Sequence, residues 1–155
     1  MKKFIKLTVV LMFVFLLSGC LGKDKVYKCN MTSDQSASGY KIRSEYKIYS
    51  NKSEVNKVIT TETVESKNNT ILSYFEKQLK TQYKNNNDAY GGYKYKITKE
   101  AGRVISEVTI DYDKMNLSKF IKDNPAMKAY VNKSNKITLD GIKKLYSSLG
   151  ATCEK

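Results

Sequence analysis

The sequence predicts an α+β domain, a mostly antiparallel sheet of about five strands with two main helices packed on one face. Residues 39–49 alternate apolar and polar side chains, the pattern of a half-buried antiparallel strand. Residues 71–83 instead carry apolar side chains at intervals of three and four, which is typical of an amphipathic helix. The order of such patterns along the chain, β-β-β-α-β-β-α, favours helices that cover one side of an antiparallel sheet.

The chain begins with a segment that we predict to be removed. Its 155 residues suit a single domain with a processing segment attached. Lys2, Lys3 and Lys6 precede a run, residues 7–17, that is apolar but for one threonine. Such a run rises about 16 Å as a helix, too little for a hydrocarbon core of about 30 Å. We therefore predict that residues 1–19 are a secretory signal peptide rather than a membrane span.

The residues that end this segment, Leu17-Ser18-Gly19-Cys20, resemble the lipobox of bacterial lipoproteins. In a lipobox the cysteine thiol receives a diacylglycerol, and the signal peptide is cut just before that cysteine. Two acyl chains give stable membrane anchoring, whereas one gives only marginal affinity. The sequence therefore predicts an exported protein that Cys20 anchors in the cell membrane, facing outside the cytoplasm. We expect residues 20–24 to form the lipidated cysteine and a short tether, and residues 25–155 a single α+β domain.

Three strands open the domain. The predicted strands cover residues 26–31, 39–49 and 55–64, with a polar loop at 33–38 and a turn at 50–53. Tyr27, Cys29 and Met31 are expected on one face of the first strand, because successive side chains point to opposite sides. The third strand is rich in Val, Ile and Thr, which favour strands.

A helix follows the third strand, and two further strands follow the helix. Asn69 or Thr70 can cap the helix. We expect residues 84–92 to form a polar loop, because three consecutive asparagines and a glycine pair favour turns. Residues 93–97 and 103–112 alternate in polarity and are joined by a short turn, which predicts a hairpin.

The last part of the domain contains an irregular stretch and a final helix. Residues 113–136 show no sustained period, with a helical turn expected at residues 117–121 and a stop at Pro125. Thr138 can cap the final helix, and Gly150 suits the left-handed position after its end. The apolar side of this helix is expected to consist of Leu139, Ile142, Leu145, Tyr146 and Leu149.

Two cysteines remain after Cys20, and they lie near opposite ends of the domain. An exported chain with two cysteines permits one intramolecular pairing, so we predict a Cys29–Cys153 disulfide. Such a bond closes a loop that spans most of the domain, and the chain-entropy model gives it roughly 5 kcal/mol as an upper figure. Two free thiols are the alternative. Metal binding is disfavoured, because two cysteines without histidine do not complete a tetrahedral site.

The composition excludes several kinds of site. The chain has no histidine and therefore no Ser-His-Asp or Cys-His centre, no histidine metal site and no imidazole pH switch. Lys and Arg outnumber Asp and Glu by 28 to 15, a formal charge of +13 that falls to +10 without Lys2, Lys3 and Lys6. Export disfavours nucleic acid as a partner and leaves anionic lipid or an envelope polymer. The same lysines can instead serve solubility alone.

Together with the lipobox, three segments of the domain resemble the YehR-like family of small bacterial lipoproteins, which are described as of unknown function. The segments are residues 25–31 (KVYKCNM), 108–113 (VTIDYD) and 149–153 (LGATC). The resemblance spans the mature chain. It implies an α+β domain of sheet and helices with no known catalysis, and it supplies no active-site residues.

Two motifs contain candidate functional residues. Asp111 and Asp113 are the nearest pair of carboxylates, but the glycine and glutamate of a calcium loop do not follow at the required spacing. We expect Asp111 to be an exposed strand residue and Asp113 to begin a turn. Tyr90, Tyr93 and Tyr95 alternate with glycines and lysines and are candidate ligand or partner contacts. Alternation favours the interpretation in which Tyr93 and Tyr95 face the core.

These features predict a membrane-anchored, non-catalytic binding or accessory module of the bacterial envelope, without cofactor or metal. A small-ligand-binding lipoprotein associated with uptake is the alternative, although the chain is short for a two-lobed clamp. An enzyme is disfavoured by the lack of histidine, of a nucleophile elbow and of a convincing carboxylate pair. A pocket lined by tyrosine with convergent polar groups would favour small-ligand binding, and a flat basic face would favour a polymer or a membrane.

Overall fold

The computed structural model describes residues 24–154. The strands are β1 (Lys25–Gln35), β2 (Tyr40–Asn51), β3 (Glu54–Glu65), β4 (Tyr93–Glu100), β5 (Arg103–Asp111) and β6 (Thr152–Cys153). The α-helices are α1 (Asn69–Tyr90), α2 (Leu117–Asp123) and α3 (Leu139–Ser148). Short 3₁₀ helices cover Ser36–Ser38 and Pro125–Tyr130. The predicted signal peptide, residues 1–19, and the predicted lipidation site, Cys20, lie outside the described residues.

All of these strands belong to one antiparallel sheet, in the order β4-β5-β3-β2-β1-β6. The predicted α+β class is confirmed, with β6 as an additional short edge strand. Helices α1, α2 and α3 all contribute to the core on one side of the sheet, which we call the covered face. The opposite side, which we call the open face, carries the alternate residues of each strand.

The core of the covered face has two parts. In the larger part, Ile142 and Tyr146 of α3 are buried against the central strands, and the rings of Tyr46 and Tyr146 stack with centroids 4.1 Å apart. In the smaller part, Leu72 and Leu79 of α1 pack against Val104 of β5. Full burial of such an aliphatic side chain contributes about 2 kcal/mol, so these contacts hold the helices on the sheet.

Two boundaries in the first half of the domain differ from the sequence prediction. Strand β1 continues to Gln35, which pairs with Tyr40 of β2, and a 3₁₀ turn covers Ser36–Ser38, so the whole loop predicted at residues 33–38 is strand or 3₁₀ turn. Polar residues are tolerated there because their backbone groups pair with β2. Helix α1 is capped by Asn68, whose side chain accepts a hydrogen bond from the Thr70 N–H at 2.8 Å.

Helix α1 is also longer than predicted. The loop expected at residues 84–92 is helical as far as Tyr90, so the prediction is wrong for residues 84–90. An ion pair at helical spacing, Lys84–Asp88, lies in this part, and the ring of Tyr90 packs against Phe120 of α2. These contacts outweigh the weak helix propensity of the three asparagines.

The helical turn predicted at residues 117–121, between β5 and α3, is present as the slightly longer helix α2. Helix α2 is capped by Asn116, whose Oδ1 accepts a hydrogen bond from the Lys119 N–H at 3.1 Å. The helix ends at Asp123, ahead of Pro125, as the proline predicts. A 3₁₀ helix then carries the chain to Tyr130.

Helix α3 has the predicted ends. The Thr138 side chain accepts a hydrogen bond from the Gly141 N–H at 3.0 Å, and Gly150 has a φ of +96°. Leu149 is 59% exposed, so the prediction that it lines the apolar side of the helix is wrong. The helix ends at Ser148, and the turn that follows takes the Leu149 side chain away from the core.

The chain ends beside its own beginning. Cys153 of β6 lies directly opposite Cys29 of β1, and their sulfur atoms are 1.98 Å apart, at the distance of a disulfide bond. The two residues are separated by 124 positions, and Cys29 is fully buried. The sheet, the helices and this cysteine pair all lie within residues 24–154, so a chain of residues 21–155 contains every element of the fold.

Candidate functional site

The three candidate tyrosines do not form one cluster. Tyr93 is 9% exposed and belongs to the core, as predicted. Tyr95 lies on the same covered face, with its ring 5.8 Å from that of Tyr83, but it remains 38% exposed because β4 is an edge strand. Tyr90 is half-buried at the end of α1, and the Nζ of Lys119 lies 4.8 Å from its ring centroid.

A pocket of about 410 Å³ lies at the edge of the sheet where β3 and β4 begin and β5 ends, beside the C-terminus of α1. Its polar lining consists of Lys57, Asn87, Lys94, Thr109, Asp111 and Lys114. Gly92 and Tyr93 complete the wall, so part of the tyrosine motif and one of the two candidate aspartates meet here. We call this the lysine pocket.

The sheet register brings these side chains together. Lys57 of β3 lies directly opposite Asp111 of β5, and Lys94 of β4 lies directly opposite Thr109 of β5. All four are on the open face, because their neighbours in sequence belong to the covered face. Lys114 comes from the turn after β5 and places its Nζ 2.9 Å from Asp111 Oδ2.

The electrostatics of Asp111 are set by Lys114. Partial burial alone would raise the pKa of Asp111, but the hydrogen bond and the charge of Lys114, with backbone hydrogen bonds, lower it. The same contact raises the pKa of Lys114. Asp111 is therefore a paired carboxylate at the pocket wall, partly buried rather than exposed as predicted. Asp113 is exposed in the following turn, as predicted.

The pocket wall requires glycine at position 92. Gly92 has a φ of +78°, and its carbonyl accepts a hydrogen bond from the Asp111 N–H at 2.8 Å. A Cβ at this position would lie 2.6 Å from the Asp111 carbonyl oxygen and 3.1 Å from the backbone nitrogen of Met115. The glycine thus lets the backbone after α1 approach the end of β5.

The open face is charged differently at its two ends. Lys28, Lys47 and Lys94 lie in one row across the sheet, and Lys57 lies in the next row, toward the end where β1 begins. We call these four lysines the basic end. At the opposite end, basic and acidic side chains form ion pairs: Arg43 with Glu65 at 3.3 Å and Arg103 with Glu100 at 2.6 Å.

A polar row crosses the covered face. Ser44, Glu62 and Ser106 lie opposite one another on β2, β3 and β5, and Ser44 Oγ donates to Glu62 Oε2 at 3.4 Å. Burial raises the pKa of Glu62, and the Ser44 hydrogen bond only partly offsets this. Burial, with the Glu62 charge as a smaller cause, raises the pKa of Tyr83 to about 12.

Four of the residues that line the pocket were not identified from the sequence as candidate functional residues: Lys57, Asn87, Thr109 and Lys114. The alternation of β3 and β4 is enough to assign Lys57 and Lys94 each to the side opposite the apolar residues. What brings them close is the position of β5 between these strands, and no local pattern reports that order.

Within residues 24–154, none of the helices combines the length and the apolar character that crossing a bilayer requires. The same residues contain no group of three carboxylate or cysteine side chains arranged to hold a metal ion.

The chain matches no protein-family model and none of the curated proteins with which it was compared. Among solved structures, it is similar to the NMR structure of the E. coli YehR protein, with a TM-score of 0.54 and 17% identity over 85% of this chain and 93% of that one. An NMR structure of a protein from Streptococcus pneumoniae TIGR4 aligns with a TM-score of 0.48 and 12% identity, over 84% of this chain and 86% of that one. The first of these supports a YehR-like fold.

Proposed function

We propose that this chain is a bacterial lipoprotein, anchored by a diacylglycerol on Cys20, whose domain is a non-catalytic binding module at the outer surface of a membrane. Similarity of the fold to YehR and the motif Leu17-Ser18-Gly19-Cys20 both support membership of the YehR-like lipoproteins. The membrane is the cytoplasmic one, or an outer membrane in a cell that has one.

The observation that carries this proposal is the position of the basic end. Strand β1 starts at Lys25, beside Ser50 of β2, which is the same end of the sheet that carries Lys57 and the lysine row. Four residues between Cys20 and Lys25 span at most about 14 Å. Anchoring at Cys20 therefore holds this end of the domain near the lipid headgroups.

The charges at this end suit an anionic surface. A lysine near such a surface contributes about 1 kcal/mol, and the attraction falls off within a Debye length of about 8 Å at physiological salt. Within residues 24–154, Lys47 pairs with Glu45 at 3.1 Å, whereas Lys28, Lys57 and Lys94 form no ion pair. The opposite end of the open face is largely neutralised by its own ion pairs. The domain is thus expected to orient with the basic end toward the membrane.

The anchor is tested by fatty-acid labelling in cells. Radiolabelled fatty acid should be incorporated into the wild-type chain and not into the Cys20→Ala variant, because the thiol is the acceptor. A Cys29→Ala variant serves as the matched control and should retain the label. Equal labelling of Cys20→Ala and wild type would contradict the anchor.

Surface binding is tested with the unlipidated domain, residues 21–155. We expect it to sediment with phosphatidylglycerol vesicles at low salt, weakly at high salt, and little with neutral vesicles. Lys28→Gln/Lys47→Gln should weaken this binding about thirtyfold, from two lost charges at the surface. The control Lys77→Gln/Lys144→Gln removes two exposed lysines from the helices and should have a much smaller effect. Equal binding to neutral and anionic vesicles would mean that the lysines serve solubility alone.

A second candidate function is binding of a small ligand in association with uptake. The lysine pocket favours it, because about 410 Å³ lies within the range of small-molecule sites. Convergent polar groups from several elements line it.

A further inference from the structure

The lysine pocket has an excess of positive charge that its own residues do not neutralise. Three lysines, Lys57, Lys94 and Lys114, face one carboxylate, Asp111, which Lys114 engages at 2.9 Å. No ion pair in residues 24–154 involves Lys57 or Lys94. The pocket therefore carries two net positive charges, which suit a ligand with two negative ones.

The lysines reach the pocket from three separate elements. Lys57 lies on β3, Lys94 on β4 and Lys114 in the turn after β5, so the three side chains line the pocket from different directions. The Nζ of Lys57 lies 4.2 Å from the centroid of the Tyr49 ring on β2 and would turn from that ring to contact a ligand. Lysine acts as a point charge and is a common phosphate ligand, whereas planar carboxylates are best matched by the guanidinium fork of arginine. No arginine lines this pocket within residues 24–154. A tetrahedral oxyanion with several terminal oxygens fits this arrangement better than a carboxylate.

Neutral donors add to the lysines. The Thr109 hydroxyl lies opposite Lys94 in the sheet register. Asn87 Oδ1 accepts the Tyr93 N–H at 3.1 Å, which fixes that side chain and leaves its amide nitrogen as a donor. Neutral donors of this kind are typical of phosphate sites, where they complement the cationic groups.

The size of the pocket indicates more than an inorganic ion. A volume of about 410 Å³ exceeds that of a free phosphate and accommodates an organic group beside it. The backbone at Gly92 and Tyr93 closes one side of the pocket, since the Tyr93 ring lies in the core of the covered face.

We propose that the lysine pocket binds the phosphate group of a small phosphate monoester. The inference deepens the second candidate function and is independent of the Cys20 anchor. Lys57 and Lys94 contact the phosphate oxygens, Lys114 neutralises Asp111 and contributes its remaining hydrogens, and the ester group occupies the rest of the pocket beside the backbone at Gly92. The phosphate belongs either to a soluble ester or to a lipid headgroup.

Calorimetric titration of residues 21–155 with glycerol 3-phosphate tests the proposal, with NMR shifts of the pocket amides as a second readout. We expect saturable binding that Lys94→Gln and Lys57→Gln each weaken about tenfold. Lys96→Gln is the matched control, because Lys96 is the next lysine on the same face of β4, lies opposite Glu107 and does not line the pocket. It should change the affinity less than twofold. Circular dichroism confirms that each variant is folded.

Vesicles of phosphatidic acid distinguish the two sources of the phosphate. Binding to these vesicles that Lys94→Gln weakens and Lys96→Gln does not, by more than Lys94→Gln weakens binding to phosphatidylglycerol vesicles of equal charge, and without binding of glycerol 3-phosphate, identifies a lipid headgroup as the ligand. Binding of the soluble ester identifies a soluble ligand. Failure of both probes to bind, or equal weakening by Lys94→Gln and Lys96→Gln, overturns the proposal. The membrane anchor would remain testable through Cys20, and the general attraction to phosphatidylglycerol through Lys28 and Lys47, which belong to the basic end but do not line the pocket.

Discussion

The covered and open faces of the sheet are built from the same strands but differ in how deeply their side chains are buried. On the covered face, Ile48, Val58 and Val108 are fully or almost fully buried under helices. On the open face, Ile59 and Thr109 of the same strands are only half-buried. The difference indicates that the covered face supplies most of the stability, whereas the open face accommodates charged side chains.

The largest effect on the free energy of unfolding should come from loss of the Cys29–Cys153 disulfide, which joins the covered face to the end of the domain. Changing Cys29 and Cys153 together to alanine should lower the free energy of unfolding by about 4 kcal/mol, because the bond closes a loop of 124 positions. Urea unfolding of residues 21–155 measures the loss, and reductant should bring the wild type close to the variant.

The redox state of these cysteines is checked separately by mass. Alkylation of freshly exported protein with and without prior reduction should give masses that differ by two alkyl groups. Free thiols in the non-reduced protein would contradict the disulfide.

The next largest effect on stability is expected from an Ile→Ala substitution, which can be compared between the two faces. Ile48→Ala on the covered face should cost about 3 kcal/mol, because it leaves a cavity in a packed core. Ile59→Ala on the open face should cost about 1 kcal/mol, because its side chain is only partly removed from water. Urea unfolding of both variants gives the comparison. Equal losses would mean that the open face is covered in solution by another molecule.

The smallest effect concerns the carboxyl group that the covered face contains. Burial raises the pKa of Glu62 above its ordinary value of 4.5. Below pH 4.5, the Glu62 carboxyl group is therefore mostly protonated in both the folded and the unfolded chain. As the pH rises, the unfolded chain releases the proton first, and stability is lost until the pH passes the raised pKa.

Glu62→Gln removes this loss and should raise the Tm at pH 7 more than at pH 4. Thermal unfolding at the two pH values measures the difference. Glu107→Gln, at an exposed position of the open face, is the control and should show little dependence. A Tm change in Glu62→Gln that is the same at both pH values would contradict the burial of this charge.

The parts of the fold that local pattern specifies were predictable, and those that depend on distant contacts were not. Strand β2 and helix α3 follow from alternation, a threonine cap and Gly150. The end of α1 does not, because its asparagines are weak helix formers and the support comes from Phe120, thirty positions after Tyr90. The lysine pocket likewise combines strands that are neighbours only through β5, so its members are separate surface lysines when the sequence is considered alone.

The cysteine pair also determines how the domain carries mechanical load. Glu154 donates its N–H to the Lys28 carbonyl at 2.8 Å, so the C-terminus runs back along β1 toward the point where the chain enters the domain. Tension between a membrane anchor and anything attached to the C-terminus passes from Cys29 to Cys153 through one covalent bond. The residues between them, which include α1, both sides of the lysine pocket and most of the sheet, lie outside that path.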